Sequence, residues 1–180
     1  MALKPTIYKF KIALVDLNHD HFNNLNLTLA QHPSETMERM IVRLLVFCLH
    51  VHEDQEQLMA FTKGLSAADE PDIWLKGLDD QLHCWIDVGE PAFERLKKAS
   101  RLAKRTLVYS FNSKSEVWWK QSQPLLQTLK VEVRRFYWSE IQQLSAQLAR
   151  TVDWTITLSG ESIYVATQNA QLEINWQLLQ

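Results

Sequence analysis

The chain has 180 residues, 46% of them apolar, with 19 Lys/Arg against 21 Asp/Glu and a formal net charge of −2. A chain of that length reads as one domain, 1–180, burying about 70% of its unfolded surface, and four Gly with five Pro exclude a low-complexity sequence. The small net charge hides an asymmetry: residues 1–90 hold seven Lys/Arg against fourteen Asp/Glu, and residues 91–180 hold twelve against seven. Either the two halves dock, or an acidic face holds a cation while a basic face meets an anion.

Residues 6–16 alternate, with Tyr8, Phe10, Ile12 and Leu14 on one side and Lys9 and Lys11 on the other, which is strand periodicity. Asn18–His19–Asp20 is turn chemistry. Leu25, Leu27 and Leu29 then alternate with Asn24, Asn26 and Thr28, completing an antiparallel hairpin. His32–Pro33–Ser34–Glu35 starts a helix, with either Ser34 or His32 as its cap. Its apolar stripe is Met37, Met40, Ile41, Leu44, Leu45 and Cys48. Glu38 borders that stripe; Glu35 lies further round and is spaced to pair with Arg39. The two acids read either as first-turn acids favoured by the helix dipole or as ligands pointing into a site. His50 and His52, two apart, do not share a helix face and make a poor metal pair there. Phe61–Leu65 is expected as a short strand.

Asp72–Leu75 reads as a strand, with a helix start at Pro71 as the alternative. Asp79–Asp80 is a turn. Leu82, Cys84, Ile86 and Val88 then fall on one strand face and His83, Trp85 and Asp87 on the other. A helix over 92–105 carries Arg95, Lys97, Lys98, Arg101, Lys104 and Arg105 against one acid, Glu94. Thr106–Phe111 is a strand, and Ser115–Gln123 a helix limited or kinked by Pro124. Adjacent Trp118 and Trp119 cannot both face one core by helical spacing, so one is expected free to stack on a base or meet a protein partner. Lys130–Trp138 is a strand, and Ser139 with Gln142 a capping box for the next helix. The strand–helix alternation through 82–138 predicts parallel pairing. Period two returns in Trp154–Leu158, Ile163–Val165 and Leu172–Trp176, an antiparallel meander. Cys48 and Cys84 lie in apolar runs without a C-x-x-C and read as buried free thiols of a reducing compartment. The start, Met1–Pro5, lacks a secretory core, and the longest uncharged apolar run, Leu44–Leu49, falls far short of the ~20 residues of a membrane span. A soluble, cytoplasmic protein without membrane contact is expected.

No phosphate loop, dinucleotide fingerprint, zinc-protease or serine-hydrolase motif occurs. What remains is acids at strand ends beside a basic helix. Carboxylate oxygens are hard donors suited to Mg²⁺ or Mn²⁺, and phosphodiester hydrolysis uses such an ion together with a nearby Lys. Asp72, Asp87, a helix acid (Glu38 or Glu35) and Lys98 supply those parts, while Arg95, Lys97 and Arg101 are placed to meet nucleic-acid phosphates. By spacing alone, strand-end turn formers and caps explain the same acids.

His32–Pro33–Ser34–Glu35–Thr36, Glu38–Arg39–Met40, Lys63–Gly64–Leu65, Asp69–Glu70–Pro71–Asp72 with Trp74, and Trp85–Ile86–Asp87–Val88–Gly89–Glu90–Pro91 resemble the YaeQ family of bacterial proteins. Met1–Ala2–Leu3–Lys4, Arg95 with Lys97–Lys98–Ala99, and Asn112–Ser113 with Trp118–Trp119 fit the same resemblance. It implies an α/β, restriction-endonuclease-like mixed sheet flanked by helices, a compact variant of the PD-(D/E)XK nuclease fold. On that pattern the helix acid is Glu38 or Glu35, the Pro–Asp acid is Asp72, and the (D/E) acid is Asp87. Gly89 stands where the pattern has Lys, which leaves Lys98, Lys97 or Arg95 to supply the basic group from the next helix. Two function classes follow: a Mg²⁺- or Mn²⁺-dependent phosphodiesterase acting on nucleic acid, or a non-catalytic module of the same fold that binds nucleic acid or protein.

Overall fold

The computed structural model describes residues 4–67 and 69–180; Met1–Ala2–Leu3 of the family resemblance lies outside them. Ten strands and four helices are present among the described residues: β1 Thr6–Asp16, β2 His21–Gln31, α1 Met37–His50, β3 Met59–Phe61, β4 Ile73–Lys76, β5 Leu82–Val88, α2 Phe93–Leu102, β6 Arg105–Ser110, α3 Ser115–Leu126, β7 Glu132–Phe136, α4 Trp138–Ser145, β8 Thr151–Ser159, β9 Ser162–Ala166 and β10 Gln171–Leu178. The architecture is mixed α/β. The chain divides into two compact units, Met1–His52 with Tyr137–Trp176, and Glu53–Phe136 with Gln177–Gln180.

In the first unit the strand order is β2-β1-β8-β9-β10. The β1–β2 hairpin and the β8–β9–β10 meander are antiparallel, as their alternation predicts. They meet through a parallel pairing of β1 with β8 that local periodicity does not reveal. Tyr8, Phe10, Ile12 and Leu14 are buried together with Trp154, Ile156, Leu158, Ile163 and Val165. Helix α1 packs against α4. It is capped by Thr36, whose hydroxyl accepts from the Arg39 N–H at 3.2 Å, not by Ser34 or His32. The His32–Glu35 stretch is instead a turn closed by Glu35 N–H to His32 O at 2.8 Å. With the start moved two residues on, Met37 occupies the first turn and is exposed. From Met40 to His50 the helix is buried on every side, so its one-sided stripe understates its burial.

In the second unit the order is β7-β6-β5-β4-β3. β5, β6 and β7 are parallel, as the strand–helix alternation requires, and β3 and β4 add antiparallel. The 61–65 strand is displaced to β3, and Gly64–Ser66 is a 3-10 turn. Helix α2 stops at Leu102, short of the expected 105, because Lys104 N–H binds Leu82 O at 3.0 Å and Arg105 opens β6. Pro124 sits inside α3, which continues to the buried Leu126; a proline removes one ladder bond, and burial of the last turn holds the helix past it. The Ser139–Gln142 capping box does not form: α4 begins at Trp138, so Ser139 lies inside its first turn. Trp118 and Trp119 both pack, half-buried, on one core of Leu96, Val108, Leu126, Val131 and Val133, which corrects the expectation that only one could. The Trp118 indole N–H also reaches Pro91 O at 3.3 Å. Cys48 and Cys84 are free and buried. No helix of the described residues is long and apolar enough to cross a membrane.

Candidate functional site

The two strand-end acids come together through the β4–β5 ladder. Ile73 lies opposite Ile86, and Asp72 N–H extends the ladder to Ile86 O at 2.9 Å. Asp72 thus lies just before β4, close enough to Asp87 for its charge to act on that carboxyl. Both are buried, at 3% and 2% exposure. The Val88 N–H donates to Asp72 Oδ2 at 2.7 Å.

Asp87 is held by Arg95, from the first turns of α2. Nε donates to Oδ2 and Nη2 to Oδ1, each at 2.8 Å, a bidentate fork that a lysine cannot make. Nη2 also donates to Glu70 O at 2.6 Å, and the guanidinium carbon lies 5.5 Å from the centre of the Trp85 ring. Burial pushes the Asp87 carboxyl above the usual carboxylate range; the Arg95 bonds offset this only in part, and the Asp72 charge adds to it. Burial would lower the Arg95 pKa, yet its bond to Asp87 and the acids around it raise it.

Lys98 sits elsewhere. It binds Asp69 Oδ1 at 2.6 Å on the surface, and that contact holds the Asp69 carboxyl below its ordinary range. Lys97 is 3.7 Å from Glu94, and Arg101 is exposed. The basic group at Asp87 is therefore Arg95. Gly89 follows β5 at φ +111°. A side chain there would be strained, which explains why this position carries no lysine. The next residue, Glu90, accepts from Ser115 Oγ at 2.8 Å and from Asn112 Nδ2, tying the end of β5 to the start of α3. Spacing offered no sign of that contact, although Glu90 and Asn112 both stand in the motifs of the resemblance.

The helix acids belong to the first unit. Glu35 precedes α1, is 6% exposed, and is bound by Arg39 at 2.8 Å and Arg43 at 2.9 Å. The expected Glu35–Arg39 pair is present and a second guanidinium joins it. Glu38 lies, half-buried, in the first turn of α1.

Asp72 and Asp87 offer the hard oxygen donors that Mg²⁺ or Mn²⁺ takes. An ion bound at Asp87 would replace the Arg95 fork as its counter-charge.

The sequence profile of the YaeQ protein family matches residues 1–176. The uncharacterized protein YaeQ of Escherichia coli (strain K12) is 36% identical over 98% of both chains, and that of Salmonella typhi 37% identical over the same shares. The crystal structure of the YaeQ protein from Pseudomonas syringae is similar with a TM-score of 0.91 and 34% identity, over 98% of this chain and 96% of that one. That from Xanthomonas axonopodis pv. citri gives 0.90 and 27%, over 98% of each.

Proposed function

We propose, for a chain that belongs to the YaeQ family, that Asp72, Asp87 and Arg95 form a phosphodiester-cleaving centre of the PD-(D/E)XK kind, acting on nucleic acid with Mg²⁺ or Mn²⁺. The observation that carries the reading is the pair of buried carboxylates, Asp72 on the Val88 N–H next to Asp87, with a guanidinium from the following helix forked onto Asp87. Such an ion would activate a water and neutralise charge on the leaving oxygen. Asp72 and Asp87 hold it. Arg95 would meet the phosphate's developing charge, the part taken by Lys in the nuclease pattern. Lys98, one helical turn along α2, with Lys97 and Arg101, contacts the nucleic-acid backbone.

A second reading has its own support. Both Asp87 oxygens are engaged by Arg95, and the carboxylate is 2% exposed, as in a non-catalytic module that binds nucleic acid or a protein partner through α2. The test is a panel of single- and double-stranded DNA and RNA with Mg²⁺ or Mn²⁺. Wild type should cut and Asp87→Asn should not; Arg95→Ala should slow the reaction about 10- to 1000-fold, and Lys98→Ala by less. Wild-type cleavage no higher than the Asp87→Asn background overturns the enzyme reading. Binding whose logarithm falls with log salt at about −0.9 per phosphate contact would then identify a nucleic-acid module.

A further inference from the structure

One cluster of metal-ligating side chains lies apart from that chemistry, wholly within the first unit. Asp16 ends β1, His19 sits in the turn to β2, and His52 lies in the 3-10 turn after α1. Each offers one donor atom, and the three lie within 4.8 Å of one another. Asp16 Oδ2 is 2.8 Å from His19 Nδ1 and 3.6 Å from His52 Nδ1. We propose that Asp16, His19 and His52 form a binding site for a divalent transition-metal ion of the zinc type.

The donor set comes first. Two imidazole nitrogens and one carboxylate oxygen suit Zn²⁺, Co²⁺ or Ni²⁺, whereas Mg²⁺ and Ca²⁺ take oxygen alone. The spacing agrees. With metal–donor bonds of about 2.0–2.2 Å at tetrahedral angles, neighbouring donors on one ion stand roughly 3.3–3.6 Å apart. The two distances bracket that range.

The carboxylate is also oriented as a ligand is. The Asn18 N–H donates to Asp16 Oδ1 at 2.9 Å. Asn18 is itself fixed to Gly160: its Oδ1 accepts from Gly160 N–H at 2.7 Å, and its Nδ2 donates to Gly160 O at 3.2 Å. One oxygen is thereby pinned and the other turned to the imidazoles, the support that ligating carboxylates receive from their surroundings.

Charge argues the same way. Asp16 is fully buried, at 0% exposure, so its charge calls for a partner. The two rings stack at 3.5 Å with an interplanar angle of 9°. Two protonated rings at that separation would repel by about 5 kcal/mol at an effective dielectric of 20. A divalent ion on three unprotonated donors compensates the carboxylate without that repulsion. Parallel rings do not aim both lone pairs at one point, so binding requires them to splay, and His19 on its exposed turn is placed to move. His21, directly across from Asp16 on the same strand face, has a buried Nε2 with no hydrogen-bond partner among the described residues, a further imidazole beside the cluster.

The experiment uses untagged full-length protein, Co²⁺ followed by visible absorption and Zn²⁺ by calorimetry. Wild type should bind one ion per chain with nitrogen-ligand absorption, in the presence of excess Mg²⁺. Losing a supporting partner alone weakens metal sites about 10- to 100-fold, so His19→Ala and His52→Ala should each cost at least that. His19 lies on an exposed turn and its variant should stay folded, as circular dichroism will check. Asp87→Asn should bind as wild type does, which separates this site from the phosphodiester centre. Equal binding by wild type and His19→Ala overturns the proposal, as does loss of the ion in Asp87→Asn alone or no stoichiometric binding by wild type.

Discussion

Among single residues, the Arg95–Asp87 fork has an energetic consequence. Removing one partner of a buried pair leaves a charge with its desolvation cost and no compensation. Arg95→Met should therefore destabilise the protein by about 3 kcal/mol, read from urea unfolding. The combined Arg95→Met, Asp87→Leu change should recover much of that loss. The thiols make a second prediction. Burial pushes Cys48 and Cys84 from the ordinary value near 9 up to about 12. For an acid whose folded pKa is raised, the unfolded chain loses its proton first as pH rises. Stability should then fall across the window from about pH 9 to 12, by about 1.4 kcal/mol per pH unit for each thiol. Unfolding measured against pH should show this slope, and Cys48→Ala should lessen it. An unchanged slope in that variant would refute the assignment.

Among the secondary-structure elements, α1 shows how a charge is carried into a core. Its buried Arg43 has Glu35 as an ion-pair partner eight residues earlier, and Arg39 shares the same carboxylate. The pairing fixes the turn before the helix against the helix itself. Glu35→Ala should cost about 3–5 kcal/mol, seen as a large drop in melting temperature, whereas Glu38→Ala, at a half-buried position in the first turn, should cost much less. Equal effects would show that the ion pair does not anchor the helix start. In α2 the basic side chains serve different contacts. Arg95 turns to the strand end, while Lys97 and Lys98 meet Glu94 and Asp69 at the surface.

Along the full chain, neither unit is a continuous piece of sequence. The second is completed by Gln177–Gln180. Leu179 N–H binds Val133 O at 2.8 Å, and Val133 N–H binds Gln180 O at 3.0 Å. The Gln180 amide donates to the carbonyls of Leu126 at 2.9 Å and Val131 at 3.0 Å. Deleting residues 177–180 should release the Val133 amide to fast hydrogen exchange and loosen the end of α3. Unaltered protection at Val133 would disprove this role.

The features legible in the sequence are those whose cause is local. The hairpin, the meander and the β5–β6–β7 alternation follow from side-chain period, and the buried thiols from their apolar neighbours. The nearness of Asp72 to Asp87 follows from two strands joined by the Asp79–Asp80 turn, and the helix after Pro91 brings a basic group close by. Long-range packing sets the remainder. Which cation reaches Asp87 depends on how α2 lies against β5, so Arg95 takes the place that spacing assigns to Lys98. Trp118 and Trp119 share a core because that core extends round α3 beyond the stripe that helical period marks out. Asp16, His19 and His52 are separated by up to 36 positions along the chain, and helical spacing tests His52 only against its neighbour His50. Their meeting requires the end of β1 to pack beside the turn that follows α1, a long-range contact that no local periodicity encodes.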